Sequence, residues 1–198
     1  MKLYYFPGAC SQAPHIILLE AGLPFEAVKV DLRTKRLESG EDYLAINPKG
    51  AVPALALDDG SILTENAVVL QYIADQAPDA RLIPPYGTMA RYRVLEWLNY
   101  IATELHKGFG PLFHPTGEAR AHAIETISAR LDYVEGQLGA GPWLIGPAFT
   151  VADAYLFVIL GWARLFHLDF ARWPALKALR ERAAERPAVR AALEAEGF

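Results

Sequence analysis

Between residues 76 and 88 the sequence runs QAPDARLIPPYGT, rich in proline and polar residues and without a periodic apolar pattern, and the chain changes character across it. Before this stretch the apolar period switches repeatedly. Residues 2–6 (KLYYF) suit a buried strand, 12–21 (QAPHIILLEA) a helix closed by Gly22, and 25–32 (FEAVKVDL) alternate as a second strand. Strand, helix and strand in that order predict a parallel pair joined by a right-handed crossover. A short helix is expected over 41–46, followed by two strand-like runs flanking Asp59-Gly60, a hairpin turn signal that makes the sheet mixed, and then by a helix over 66–76. After the proline-rich stretch the spacing is helical almost throughout: 89–109, 118–138, 150–167, 174–185 and 187–195. The fold class is therefore α/β plus all-α, with a four-stranded mixed sheet in residues 1–80, a linker over 81–87 and an all-helical domain over 88–198.

Composition narrows what such a chain does. With 198 residues, 53% of them hydrophobic, it is long enough to bury a substantial core. A net charge of −4 and the lack of any Lys/Arg-dense run exclude non-specific nucleic-acid binding, so an anionic ligand must be held by local charges. The one cysteine cannot form an internal disulfide, and the start of the sequence has no basic segment followed by an apolar signal core, which points to the cytoplasm. The longest apolar runs, such as 154–163, fall far short of the roughly 20 residues that a membrane span requires.

Three local patterns carry chemistry. Cys10 follows a strand and a Pro-Gly turn at the start of a helix, where backbone N–H groups and the dipole favour an anion, so its thiolate is stabilised there; a lone cysteine elsewhere is more often a small buried hydrophobe. Residue 13 is Ala, so there is no Cys-X-X-Cys pair, and the thiol acts alone or with a small-molecule thiol. Val52-Pro53 precedes a strand, where a cis bond would turn a backbone N–H and C=O outward to pair with an extended peptide ligand; an ordinary proline at a strand's first residue fits the pattern equally well. Glu65 and Asn66 open a helix, with Asn66 either a plain cap or, with the helix end, a carboxylate site beside a glutamate that meets an ammonium. TVAD at 150–153 is a capping box and reads as structural.

The segments PGACS, NPKGAVPAL and TEN, with EWLNYIATELHKGF and FTVADAYLF in the helical part, together resemble the bacterial beta-class glutathione S-transferases over essentially the whole chain. The resemblance implies a thioredoxin-like first domain and a glutathione site. In it Cys10 contacts the glutathione sulfur, Lys35 the glycyl carboxylate, the backbone of Val52 beside Pro53 the cysteinyl unit, and Glu65 with Asn66 the γ-glutamyl end. Asn99, Thr103, Glu104 and His106 match the family's helical contribution, His106 with Cys10 in a catalytic role, and the family implies a homodimer whose subunits complete each other's sites. Where the family usually has serine after the glutamate, this chain has Asn66, which still caps and donates, so altered geometry rather than a lost site is expected.

The charges agree with that ligand. Glutathione carries two carboxylates and one ammonium, and Lys35, the helix start at 66 and Glu65 supply the complement. His106 would assist the thiolate by hydrogen bonding or by charge, and the small hydrophobic electrophile would lie against aromatic residues such as Phe109, Phe113, Trp162 and Phe166, unless these are core. No cofactor is expected beyond glutathione as co-substrate, and no metal. Conjugation for detoxification is the leading activity; a thiol-disulfide reductase working through a Cys10 mixed disulfide, or sequestration of hydrophobic ligands without chemistry, are its competitors.

Overall fold

Leu3 and Tyr4 are the buried residues of strand β1 (Lys2–Tyr5), and a strand buried on both faces needs neighbours on both edges. A computed structural model describes residues 1–113, 117–138 and 141–198, and in it β1 is the central strand. It pairs parallel with β2 (Glu26–Asp31), with Leu3 opposite Ala27, and antiparallel with β4 (Ala54–Ala56), with Leu3 opposite Leu55. Helix α1 (Gln12–Glu20) forms the crossover between β1 and β2, and every residue from Gln12 to Leu18 is buried. Strand β5 (Ile62–Thr64) returns antiparallel to β4 through the expected turn, where Asp59 accepts from the N–H and O–H of Ser61 at 2.9 and 2.6 Å.

The sheet has one strand more than expected. Arg36–Leu37 forms a two-residue β3 beside β2, and among the described residues the strand order is β3-β2-β1-β4-β5. Two residues leave no readable alternation, so only the turn around Asp31, which accepts from Arg33 and Thr34 N–H at 2.8 and 3.1 Å, announces it. The expected helix over 41–46 is a single 3₁₀ turn, Tyr43–Ala45, capped by Asp42. Helix α2 (Asn66–Gln76) completes this part of the chain.

The chain divides into two compact units, residues 1–83 with 186–198 and residues 84–185. The first division falls after residue 83, and the last segment, residues 186–198, groups with the first unit instead of with the helical one. Helix α8 (Pro187–Glu196) packs on α1, pinned by a bidentate pair from Arg186 to Glu20 at 2.6 and 2.8 Å. At the other end of α8, Glu196 is bonded to residues at the start of α1.

The second unit is helical: α3 (Met89–Tyr100), a π-helical segment (Ile101–His106), α4 (Lys107–Phe113), α5 (Gly117–Gln137), α6 (Val151–Leu165) and α7 (Pro174–Ala184). Helix α6 is its core, buried without a break from Val151 to Leu160. The TVAD capping box starts it. The fully buried Asp153 carboxylate accepts from Thr150 N–H and Oγ1 and from Leu144 N–H, each at 2.8 Å, so one side chain both caps α6 and ties down the loop before it. No helix among the described residues is long and apolar enough to cross a membrane.

Asp153→Asn retains the shape but turns an NH₂ group toward donors that need an acceptor. We expect a loss of about 2–4 kcal/mol in unfolding free energy, read from urea or guanidinium titration at pH 7. An unchanged midpoint would show that the box does not anchor α6.

Candidate active site

After β1 the chain reverses through residues 6–11. Ser11 Oγ accepts from Phe6 N–H at 3.1 Å and donates to Phe6 C=O at 3.3 Å, closing the turn on itself. Gly8 takes φ 71°, and a Cβ there would lie 2.8 Å from the Phe198 ring, so both backbone angle and close approach require glycine. Glu196 holds this turn from beneath: one carboxylate oxygen accepts from Gly8 N–H and Gln12 Nε2 at 3.0 Å each, and the other lies 2.9 Å from His15 Nδ1. Cys10 follows just before α1, buried, with its Sγ donating to the Val52 carbonyl at 3.3 Å.

Val52-Pro53 is a cis peptide bond, and both residues are buried. The loop that delivers it is propped by three polar side chains. Tyr43 Oη and Asn47 Nδ2 donate to the Ala51 carbonyl at 2.7 and 2.8 Å, and Lys35 Nζ donates to the Gly50 carbonyl at 2.7 Å. Cys10, Lys35, Val52 and Pro53 are thus gathered around one loop. Tyr43 and Asn47 escape a reading for reactive residues because their work is to hold backbone, and the only signal for them is two polar groups in a segment, YLAIN, that must pack.

At the start of α2, Glu65 adopts φ 70° and ψ 115°, a conformation that costs a non-glycine residue about 1–3 kcal/mol and recurs where function demands it. Asn66 follows, only 8% exposed, and its amide oxygen and nitrogen both lack a hydrogen-bond partner among the described residues. Leaving such groups unpaired costs about 1–3 kcal/mol each, so a ligand that satisfies them binds with that gain. The Glu65 carboxylate lies 2.6 Å from Lys49 Nζ, which also donates to Thr64 Oγ1 at 2.9 Å. Glu65 thus has a cation of the chain beside it, from a lysine that the motifs did not single out.

The remaining expected residues lie in the second unit, on α3 and the π-helical segment. Asn99 and Thr103 are exposed one turn apart, with Thr103 Oγ1 donating to the Asn99 carbonyl at 3.0 Å, and Glu104 pairs with Arg130 at 2.7 Å. His106 turns inward. Its Nδ1 is 2.6 Å from Tyr155 Oη and its ring meets Trp162 edge-on at 4.8 Å. Burial, with Lys107 beside it, lowers its pKa from 6.5 to about 4, so the ring is neutral at pH 7 and of the two expected kinds of help, charge is not one. Beyond it Phe109, Phe113, Trp162 and Phe166 form one aromatic cluster, with Phe109 fully buried and Phe113 46% exposed, so the cluster is part core and part surface. The π-helical turn was not foreseen, since no proline or glycine marks it.

Over its full length the chain is 52% identical to the glutathione S-transferase GstA of Escherichia coli O157:H7, which it covers completely. The chain belongs to the glutathione S-transferase family. The family's N-terminal domain matches residues 8–76 and its C-terminal domain residues 100–187. A sphingomonad glutathione S-transferase solved with glutathione superimposes with a TM-score of 0.97 at 50% identity, each chain covered completely. The beta-class enzyme of Sphingomonas chungbukensis does so with a TM-score of 0.96 at 49% identity, covering 100% of this chain and 99% of the other. The chain is a member of that bacterial beta class.

The depressed His106 pKa makes a prediction about acid stability. Between about 4 and 6.5 the unfolded chain binds a proton at this residue that the folded chain does not, so stability is full above 6.5 and is lost as the pH falls toward 4. Asp153, raised by burial to about 6, has the opposite slope between 3.8 and 6. His106→Asn removes only the first effect. Relative to the parent, the variant should gain on the order of 3 kcal/mol between pH 7 and pH 4, measured by denaturant titration at each pH; a constant difference would place the histidine in a solvated environment.

Proposed function

We propose that this transferase conjugates the thiol of reduced glutathione to small hydrophobic electrophiles, as a cytoplasmic homodimer serving detoxification, with glutathione as co-substrate and no resident cofactor. The observation that carries the reading is Asn66, a buried amide unpaired at both polar atoms at the start of a helix, beside a glutamate held in a strained conformation. A γ-glutamyl group matches that pair, its carboxylate on the Asn66 N–H groups and helix start, its ammonium on Glu65 in exchange for Lys49. Lys35 then meets the glycyl carboxylate, the Val52 backbone the cysteinyl amide, and Cys10 the sulfur. Similarity to the sphingomonad enzyme, which was solved with glutathione, supports the same ligand here.

The reaction needs a thiolate. A thiol of pKa about 8.5 is a few per cent ionised at pH 7, and a site that lowers it by about two units makes the anion predominant. The anion attacks the electrophilic carbon, the sulfur–carbon bond forms, the leaving group departs with its electron pair, and the thiol proton passes to solvent. A second copy of the chain fits against the apolar side chains that α3 and α5 leave exposed, Met89, Tyr92 and Tyr133, next to the Trp97–Tyr100–Tyr133 ring cluster.

The initial rate of glutathione addition to a halonitroaromatic electrophile should saturate in glutathione above the uncatalysed background. Asn66→Ala should raise the KM for glutathione about 10- to 100-fold, as loss of a charge-assisted hydrogen bond predicts, with kcat changed only a few-fold. No catalysis above background would sink the transferase reading; an unchanged KM in the variant would sink the role given to Asn66.

A further inference from the structure

The carboxylate of Glu65 is held by an ammonium of the chain itself: Lys49 Nζ lies 2.6 Å from Glu65 Oε1 and also donates to Thr64 Oγ1 at 2.9 Å. We propose that Lys49 is an internal competitor for the ammonium of the γ-glutamyl group, and that it thereby lowers both the affinity for glutathione and the preference for glutathione over an analogue without the amino group. The inference rests on the glutathione reading and deepens it. Every residue it uses belongs to the first unit.

The main chain places Lys49 for this role. Its N–H donates to Asn47 Oδ1 at 3.2 Å, the Gly50 N–H donates to the Asn47 carbonyl at 2.8 Å, and the Gly50 carbonyl accepts from Lys35 Nζ at 2.7 Å. Residues 47–50 therefore form a closed turn leading into the cis Val52-Pro53 bond, and the long stem of Lys49 reaches from that turn to the end of β5 and the start of α2. The side chain straps the loop that presents Val52 to the corner that presents Glu65. A γ-glutamylcysteinyl ligand bridges the same two elements, with its cysteinyl amide on Val52 and its ammonium on Glu65, so strap and ligand make the same charge contact.

The pair is built to give way. The side chains of Lys49 and Glu65 are 55% and 68% exposed, and an ion pair in water is weak, so a second ammonium displaces the first without opening the fold. If Lys49 stays and shares the carboxylate, two ammoniums side by side repel and the sign of the effect is the same. An attraction of Lys49 for the γ-glutamyl carboxylate has the opposite sign. That attraction is common to ligands with and without the amino group, and comparing the two ligands in parent and variant removes it.

Isothermal titration of the full chain at pH 7 tests the competition, with reduced glutathione and with glutaryl-cysteinylglycine, the same skeleton without its amino group, as the two probes. Lys49→Met keeps an unbranched stem and removes the charge. It should lower the Kd for glutathione about threefold, as the strength of an exposed ion pair predicts, and leave the Kd for the analogue within about 1.5-fold. Lys49→Arg, still cationic, should bind both ligands as the parent does. Glutathione binding that is unchanged or weaker in Lys49→Met overturns the proposal. Equal tightening of both ligands also overturns it, since that would be an effect of the loop on any ligand and not a contest for Glu65. A parent that does not bind glutathione fails the glutathione reading and the competition with it, whereas a parent that binds it and shows no effect of Lys49 fails the competition alone.

Discussion

Glu196 has a side chain with no exposed surface, and its carboxylate is the point on which the first unit depends. A carboxylate removed from water costs several kcal/mol unless donors replace its hydration. Here Gly8 N–H, Gln12 Nε2 and the His15 ring surround it, the last flanked by the rings of Tyr5 and Phe25. Two of these donors belong to α1 and one to the turn before it, so satisfying the charge also sets where Cys10 sits relative to the Val52 carbonyl. The second contact between α8 and α1, Arg186 with Glu20, then acts on a helix already seated.

The second unit uses the same device at a different place. Asp153 is buried and receives three donors, two from its own cap and one from the loop before α6. Against these two satisfied acids Asn66 stands out: it is as buried as Glu196, it carries no net charge, and its amide is unpaired. Folding completes the hydrogen bonding of both acids and leaves the two polar atoms of the Asn66 amide, like Arg180 Nε, without a partner among the described residues.

Much of this was readable in advance because it is local. Asp59-Gly60 dictates its hairpin, and Thr150 and Asp153 their capping box. Cys10 is placed by the strand and turn before it. What was not readable is set by contacts distant in sequence. Residues 187–195 read correctly as a helix, yet nothing in them says that α8 leaves the helical unit for α1, because the partners of Glu196 lie more than 180 positions away. Lys49 looks like a solvated charge until Glu65 is beside it. β3 is too short to have a period, and no breaker residue marks the π-helical turn at 101–106.

An amide at residue 66 makes demands that a hydroxyl there would not. A serine hydroxyl offers one donor and reorients freely; an asparagine offers two N–H donors and a carbonyl on a flat group whose two ends cannot be exchanged without a flip. Glu65, strained in the left-handed region, sets the direction in which residue 66 leaves the strand, and the start of α2 sets the direction of its backbone N–H. With both ends of the side chain unpaired in the protein, asparagine asks more of its ligand than serine would: an acceptor for the NH₂ group and a donor for the oxygen. A γ-glutamyl group has both, a carboxylate and an ammonium on one carbon. The same carbon skeleton without its ammonium would leave the Asn66 oxygen unpaired and Glu65 with Lys49 as its cation. On the proposed reading, selectivity at this end of the site is a matter of the ligand's charges in pairs, and a single anionic group does not satisfy it.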